Sequence, residues 1–222
     1  MKRLIGSLLA VWFGSVVFLG AQGAFVRSPE TPPLPILFGF LVPLFVFAVW
    51  YWGSSIFRKT VLGADLRLLT AIQAWRAGGL GFLALSANGV LPGLFAWPAG
   101  LGDIAIGVTA PWVALALLQN PRFVGSRFFA AWNLLGILDL VVAVSMGALS
   151  AGFVPGLASS VTTAAMARLP LVLIPAFLVP LFVMLHVAAL VQARRSASEE
   201  TESEARQSLH RDGTFRDIMR AV

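Results

Sequence analysis

The chain has 222 residues, 58% hydrophobic and only 12% charged, against roughly 45 to 50% apolar and about 25% charged in soluble domains. A mean hydropathy of +0.86 and several apolar stretches near the ~20 residues that cross a ~30 Å hydrocarbon layer exclude a water-soluble globule. The absence of cysteine excludes disulfides, thiolate metal sites and thiol redox chemistry; the formal charge of +6 does not mark a nucleic-acid binder, because the basic residues cap apolar segments and form no single patch.

Charges and Pro/Gly clusters bound six predicted spans: Leu4 to Ala21, Pro35 to Phe57, Leu66 to Ala87, Phe95 to Leu118, Phe128 to Leu149 and Leu169 to Val191. The segments lack the period-two alternation of barrel strands, and an open sheet edge in lipid would strand backbone polar groups. The expected fold class is therefore all-α, a polytopic bundle of six transmembrane helices. Met1-Lys2-Arg3 followed by an apolar run and Ala21-Gln22-Gly23 also fits a signal peptide, whose cleavage would leave five spans. The length of that run favours an uncleaved anchor.

One set of ends and loops carries Lys2, Arg3, Arg58, Lys59, Arg67, Arg122, Arg127, Arg194 and Arg195, the opposite set only Arg27 and Arg168. The positive-inside rule makes the first set cytoplasmic, with both termini inside, and a bacterial inner membrane is the expected location. The loop from Arg27 to Pro35 holds four prolines and should be a stiff, non-helical link. The domain division is a membrane unit over 1–195 and a cytoplasmic tail over 196–222. The tail opens polar and charge-balanced and ends with Phe215, Ile218, Met219 and Val222 at the spacing of one helix face.

Three charged residues fall at membrane depth: Arg76 in the third predicted span, Asp103 in the fourth and Asp139 in the fifth. Unpaired, each would cost about 2.5 to 3.5 kcal/mol at a helix centre, so all three should face inward and pair. Arg76 lies nine residues above one end of its span and Asp103 eight below the opposite end of the next, which puts both near the midplane. Asp139 enters to similar depth. One cation against two acids leaves either a net negative centre or a carboxyl that holds a proton. Asn133 and His186 sit one to two turns from the cytoplasmic ends of their spans, where they can meet, and Gln73 precedes Arg76 by one turn. These six residues are the candidate substrate or proton site. No metal set and no cofactor is implied; His210, the other histidine, lies in the tail, which removes a bis-histidine haem.

The fourth and fifth spans share Gly-x-x-Asp followed by an aliphatic residue, at Gly100 to Ile104 and Gly136 to Leu140. They run in opposite directions, as the halves of an inverted repeat do. Gly78, Gly79, Gly81, Gly100, Gly102 and Gly107 read as close helix contacts. Gly100-Leu101-Gly102-Asp103 resembles the Gly-x-Gly-Asp motif of the presenilin-like and prepilin-peptidase intramembrane aspartyl proteases. That four-residue resemblance implies Asp103 as one catalytic acid, with Asp139 as its partner, although here the partner follows the motif and the Tyr-Asp pair of those families is missing.

The leading expectation is a transporter or sensor of a small solute or proton, with Arg76, Asp103 and Asp139 as its polar centre, a reading that leans away from an enzyme and leaves that question open. An intramembrane aspartyl hydrolase is the second, and an accessory subunit whose charges only lock helix packing is the third. Expected partners are the bilayer, the solute or proton and, as an open option, a second copy of the chain.

Overall fold

The computed structural model describes residues 2–28, 31–154 and 160–198, and no strand occurs among them. Six of its helices are long and apolar enough to cross a membrane, which suggests a multi-pass membrane protein. In chain order the helices are α1 (Lys2–Ala21), α2 (Leu34–Gly53), a short α3 (Ser55–Leu62), α4 (Leu66–Ala87), α5 (Gly93–Gln119), α6 (Arg127–Leu149) and α7 (Ile174–Ser198).

The third, fourth and fifth predicted spans match α4, α5 and α6 to within two residues at either end. The second differs. It stops at Gly53, because Ser54 turns extended and its hydroxyl caps the next helix by accepting from the Phe57 N–H at 3.2 Å. Phe57 then folds back and stacks on Trp50 with ring centroids 4.3 Å apart, so α3 packs against α2 and does not prolong it. The sixth helix begins at Ile174, not Leu169, and opens with a π turn over Ile174–Leu178. Pro175 and Pro180 each remove a backbone donor there, and the Val179 N–H reaches Ile174 O across the wider turn. At its other end α7 runs on to Ser198, into the segment read as tail; the rest of the tail, with its amphipathic end, lies outside the described residues.

Helix α7 is the most enclosed, while α1 and α2 are peripheral. Helix α1 leans on the start of α7 through Trp12 and Phe13, both against Phe177 at 4.6 and 5.2 Å. Helix α2 crosses the same region where Gly39 meets Ala176. Large apolar side chains such as Phe38, Phe45, Trp52 and Trp112 stay exposed on the outer faces, as a hydrocarbon solvent allows.

Side-chain ties close both ends of the bundle. At the end poor in basic residues, Arg27 Nη2 donates to Ala151 O at 2.6 Å. At the arginine-rich end, Gln192 Nε2 donates to Val61 O at 2.8 Å and to Ala64 O at 3.2 Å, pinning α7 to the corner between α3 and α4.

The middle of α4, Gln73–Gly79, winds as a 3₁₀ helix. With three residues per turn, side chains at i and i+3 eclipse, whereas in an α-helix they drift by about 60°. Gln73, Arg76 and Gly79 consequently form one inward line, and all three are buried. Helix α5 lies along that line with almost no separation: a Cβ on Gly79 would fall 2.6 Å from Asp103 Cβ and 2.8 Å from Gly100 O. Glycine is required at this crossing because two backbones occupy the volume a side chain would need.

Candidate functional site

Arg76 is 2% exposed and stands at the centre of a network drawn from four helices. Its Nε donates to Asp103 Oδ1 at 2.7 Å on α5, and its Nη2 donates to Asp139 Oδ2 on α6. Its Nη1 faces Gly136 O at 3.2 Å and His186 Nε2, on α7, at 3.1 Å. Four of the five guanidinium N–H groups are thereby engaged. A planar fork can hold two carboxylates at once on neighbouring nitrogens, which a lysine ammonium on a flexible stem does not reproduce.

The partners of His186 determine its tautomer. Arginine only donates, so Nε2 is the acceptor and Nδ1 carries the hydrogen. Nδ1 then donates to Asn133 Oδ1 at 2.9 Å, and Asn133 Nδ2 donates to Phe129 O at 2.9 Å. His186 is neutral in this arrangement, and its ring meets Trp132 edge-on at 5.5 Å. Trp132 Nε1 in turn donates to Thr109 Oγ1 at 2.9 Å. One guanidinium against two carboxylates leaves the centre one net negative charge when both acids are ionised.

Five of the six predicted site residues, Arg76, Asp103, Asp139, Asn133 and His186, join in one hydrogen-bonded cluster. Gln73 is set apart. It is buried one 3₁₀ turn away, and its Nε2 donates to Phe182 O at 3.3 Å and not to the cluster. Its Oε1, and Thr70 Oγ1 one turn further toward the arginine-rich end, are buried without a hydrogen-bond partner among the described residues.

Glycines set the closeness of the cluster. The Arg76–Ala77 backbone lies against Gly107, the Asp139 carboxylate against Gly102 and the His186 ring against Gly136, each where a Cβ would stand. Of the glycines read as close contacts, Gly79, Gly100, Gly102 and Gly107 are so used, whereas Gly78 and Gly81 face open space. Gly136 was missed as a contact, although its place in the second Gly-x-x-Asp copy was a signal that could have found it. The two copies deliver their aspartates to one guanidinium, but their glycines differ in use: Gly100 meets α4, Gly136 meets α7.

A cleft extends from Asp103 toward the end poor in basic residues, between α2 and α6 and floored by α5 and α7. Phe40, Phe82, Phe95 and Leu140 form much of its wall, and Asp103 is the only charged lining residue among the described ones. Among the described residues no group of three metal-ligating side chains occurs.

The profile of a family described as "Domain of unknown function (DUF8737)" matches residues 31–194. The chain belongs to the DUF8737 family. The DUF8737 match takes in α2 to α6, nearly all of α7 and every residue of the cluster. No curated protein and no solved structure matches the chain.

Proposed function

We propose that this DUF8737 protein is a proton-linked carrier or sensor of a small solute, with the Arg76, Asp103 and Asp139 centre as its working site. The observation that carries this reading is a single guanidinium held between two carboxylates inside the membrane unit. Such a centre is electrically neutral only when one acid binds a proton or a cation arrives, and an uncompensated charge at that depth costs several kcal/mol. Proton occupancy and solute occupancy are thereby linked. The buried oxygens of Gln73 and Thr70 support a polar route from the arginine-rich end to Arg76. On this reading the arginine-rich end is cytoplasmic, both termini lie on that side, and the membrane is a bacterial inner membrane.

The aspartyl hydrolase remains a second reading, since Asp103 and Asp139 bind adjacent nitrogens of one guanidinium and their carboxyls are therefore close. Arg76 weighs against it. A catalytic dyad shares one proton and a water between its acids, and here the guanidinium is the group they share.

Difference infrared spectroscopy on the full chain in nanodiscs, with pH jumps, tests the proposal. A protonated-carboxyl band should appear with acidification and vanish in Asp103→Asn or Asp139→Asn. No titrating carboxyl that either substitution removes would overturn it.

A further inference from the structure

The proposed reading leaves the solute open, and the cleft narrows it. Among the described residues that line the cleft, Asp103 is the only charged one and Thr163 the only other with a polar side chain. Thr163 is satisfied within the protein, since its Oγ1 donates to Gly147 O at 2.8 Å. Asp103 is half satisfied: Oδ1 accepts from Arg76, while no hydrogen bond is formed to Oδ2 among the described residues. A cleft whose other lining residues are apolar save Thr163 is thus bordered by a carboxylate with one oxygen that keeps free lone pairs, belonging to a centre with one net negative charge when both acids are ionised. Phe40, Phe82 and Phe95 add ring faces or edges to the wall, and Phe82 meets Phe95 edge-on at 5.3 Å.

We propose that this cleft binds a lipophilic amine, its protonated nitrogen donating to Asp103 Oδ2 and its apolar body lying among Phe40, Phe82 and Phe95. The inference rests on the proton-linked reading above. A cation is selected because it cancels the residual charge, as a neutral alcohol does not and a carboxylate makes worse. An N–H donor is selected because Oδ2 is an acceptor. Aromatic walls favour a cationic head over an equally apolar neutral one. The ammonium and a proton occupy the same oxygen, so the two compete: an amine that binds the protonated centre displaces that proton to solvent, and the charge of the centre is unchanged.

Calorimetric titration of the full chain in nanodiscs tests this, with benzylamine as probe and benzyl alcohol and benzoate as its neutral and anionic isosteres. Empty nanodiscs correct for partitioning, and buffers of different ionisation enthalpy count the protons released. Saturable benzylamine binding at least about tenfold tighter than either isostere is expected, weakening with acidification in step with proton release. Asp103→Asn should abolish the preference for the amine. Ala148→Phe, which fills the cleft wall away from the charges, should weaken the amine while leaving the infrared carboxyl band in place. Equal affinity for all three probes, or undiminished amine binding in Asp103→Asn, would overturn the proposal. The isostere comparison uses the unsubstituted protein and decides the matter even if a variant does not fold. Persistence of the carboxyl band without amine selectivity removes the amine and spares the proton-linked reading; loss of the band from the unsubstituted protein removes the latter.

Discussion

The imidazole of His186 stands where a side chain at Gly136 would have to be. Helices α6 and α7 therefore meet at this level only because position 136 has no Cβ, and the same approach brings Gly136 O and His186 Nε2 together on Arg76 Nη1. Gly136→Ala should force the ring outward and break both contacts. A loss of about 1 to 3 kcal/mol is expected from such overpacking, read as a lower midpoint of unfolding in detergent. Gly81→Ala provides the contrast: its Cβ would meet nothing, and removing a helical glycine should leave stability unchanged or raise it by up to ~1 kcal/mol. Equal effects at the two positions would contradict the packing described.

Arg76 is the one cation facing two acids, so its removal should be worse than theirs. Arg76→Leu leaves two carboxylates without a counter-charge and should cost about 3 to 5 kcal/mol, as breaking a buried ion pair does. Folded yield, measured by size-exclusion chromatography, should fall sharply. Adding Asp103→Asn and Asp139→Asn to Arg76→Leu should restore much of it. Arg76→Lys should not substitute, because an ammonium lacks the fork that spans both acids. A triple variant no better than Arg76→Leu alone would contradict this account.

The hydrogen on His186 is assigned to Nδ1 by its neighbours. Nitrogen-15 solid-state NMR of histidine-labelled protein should show one neutral ring with a protonated Nδ1 and a non-protonated Nε2, and His186→Phe should delete that signal. The same substitution orphans Asn133 Oδ1 and one of the two Arg76 Nη1 N–H groups, the other keeping Gly136 O, each at about 1 to 3 kcal/mol. A signal from the opposite tautomer would mean that Arg76 does not donate to this ring.

Because the chain contains no cysteine, an introduced one reports its own location without background. Ser28, in the loop between α1 and α2, and Lys59, on α3, are both exposed and lie at opposite ends of the bundle. In intact cells a membrane-impermeant maleimide should label Ser28→Cys and should reach Lys59→Cys only after lysis. The reverse pattern would invert the proposed orientation.

The existence, number and class of the long helices were legible in the sequence, because a ~30 Å hydrocarbon layer demands runs of about 20 apolar residues and tolerates few alternatives to a helix. The common level of Arg76, Asp103 and Asp139 along their helices followed from the same reading, since 1.5 Å per residue converts a position in a helix into a height. What height cannot supply is azimuth. Whether Asp103 and Asp139 turn toward the same guanidinium, and whether Gln73 joins them, depends on rotation about each helix axis, and a uniformly apolar helix carries little periodic signal to fix it. Tertiary structure decided those rotations through the 3₁₀ winding that aligns Gln73, Arg76 and Gly79, and through glycines that admit a neighbouring side chain or backbone at Gly79, Gly102, Gly107 and Gly136. It also decided the break at Ser54, where a side-chain cap outweighs continuous hydrophobicity, and the π turn that opens α7, where Pro175 and Pro180 remove backbone donors. Composition determined that the charges had to be buried and compensated, while helix contact decided which atoms compensate them.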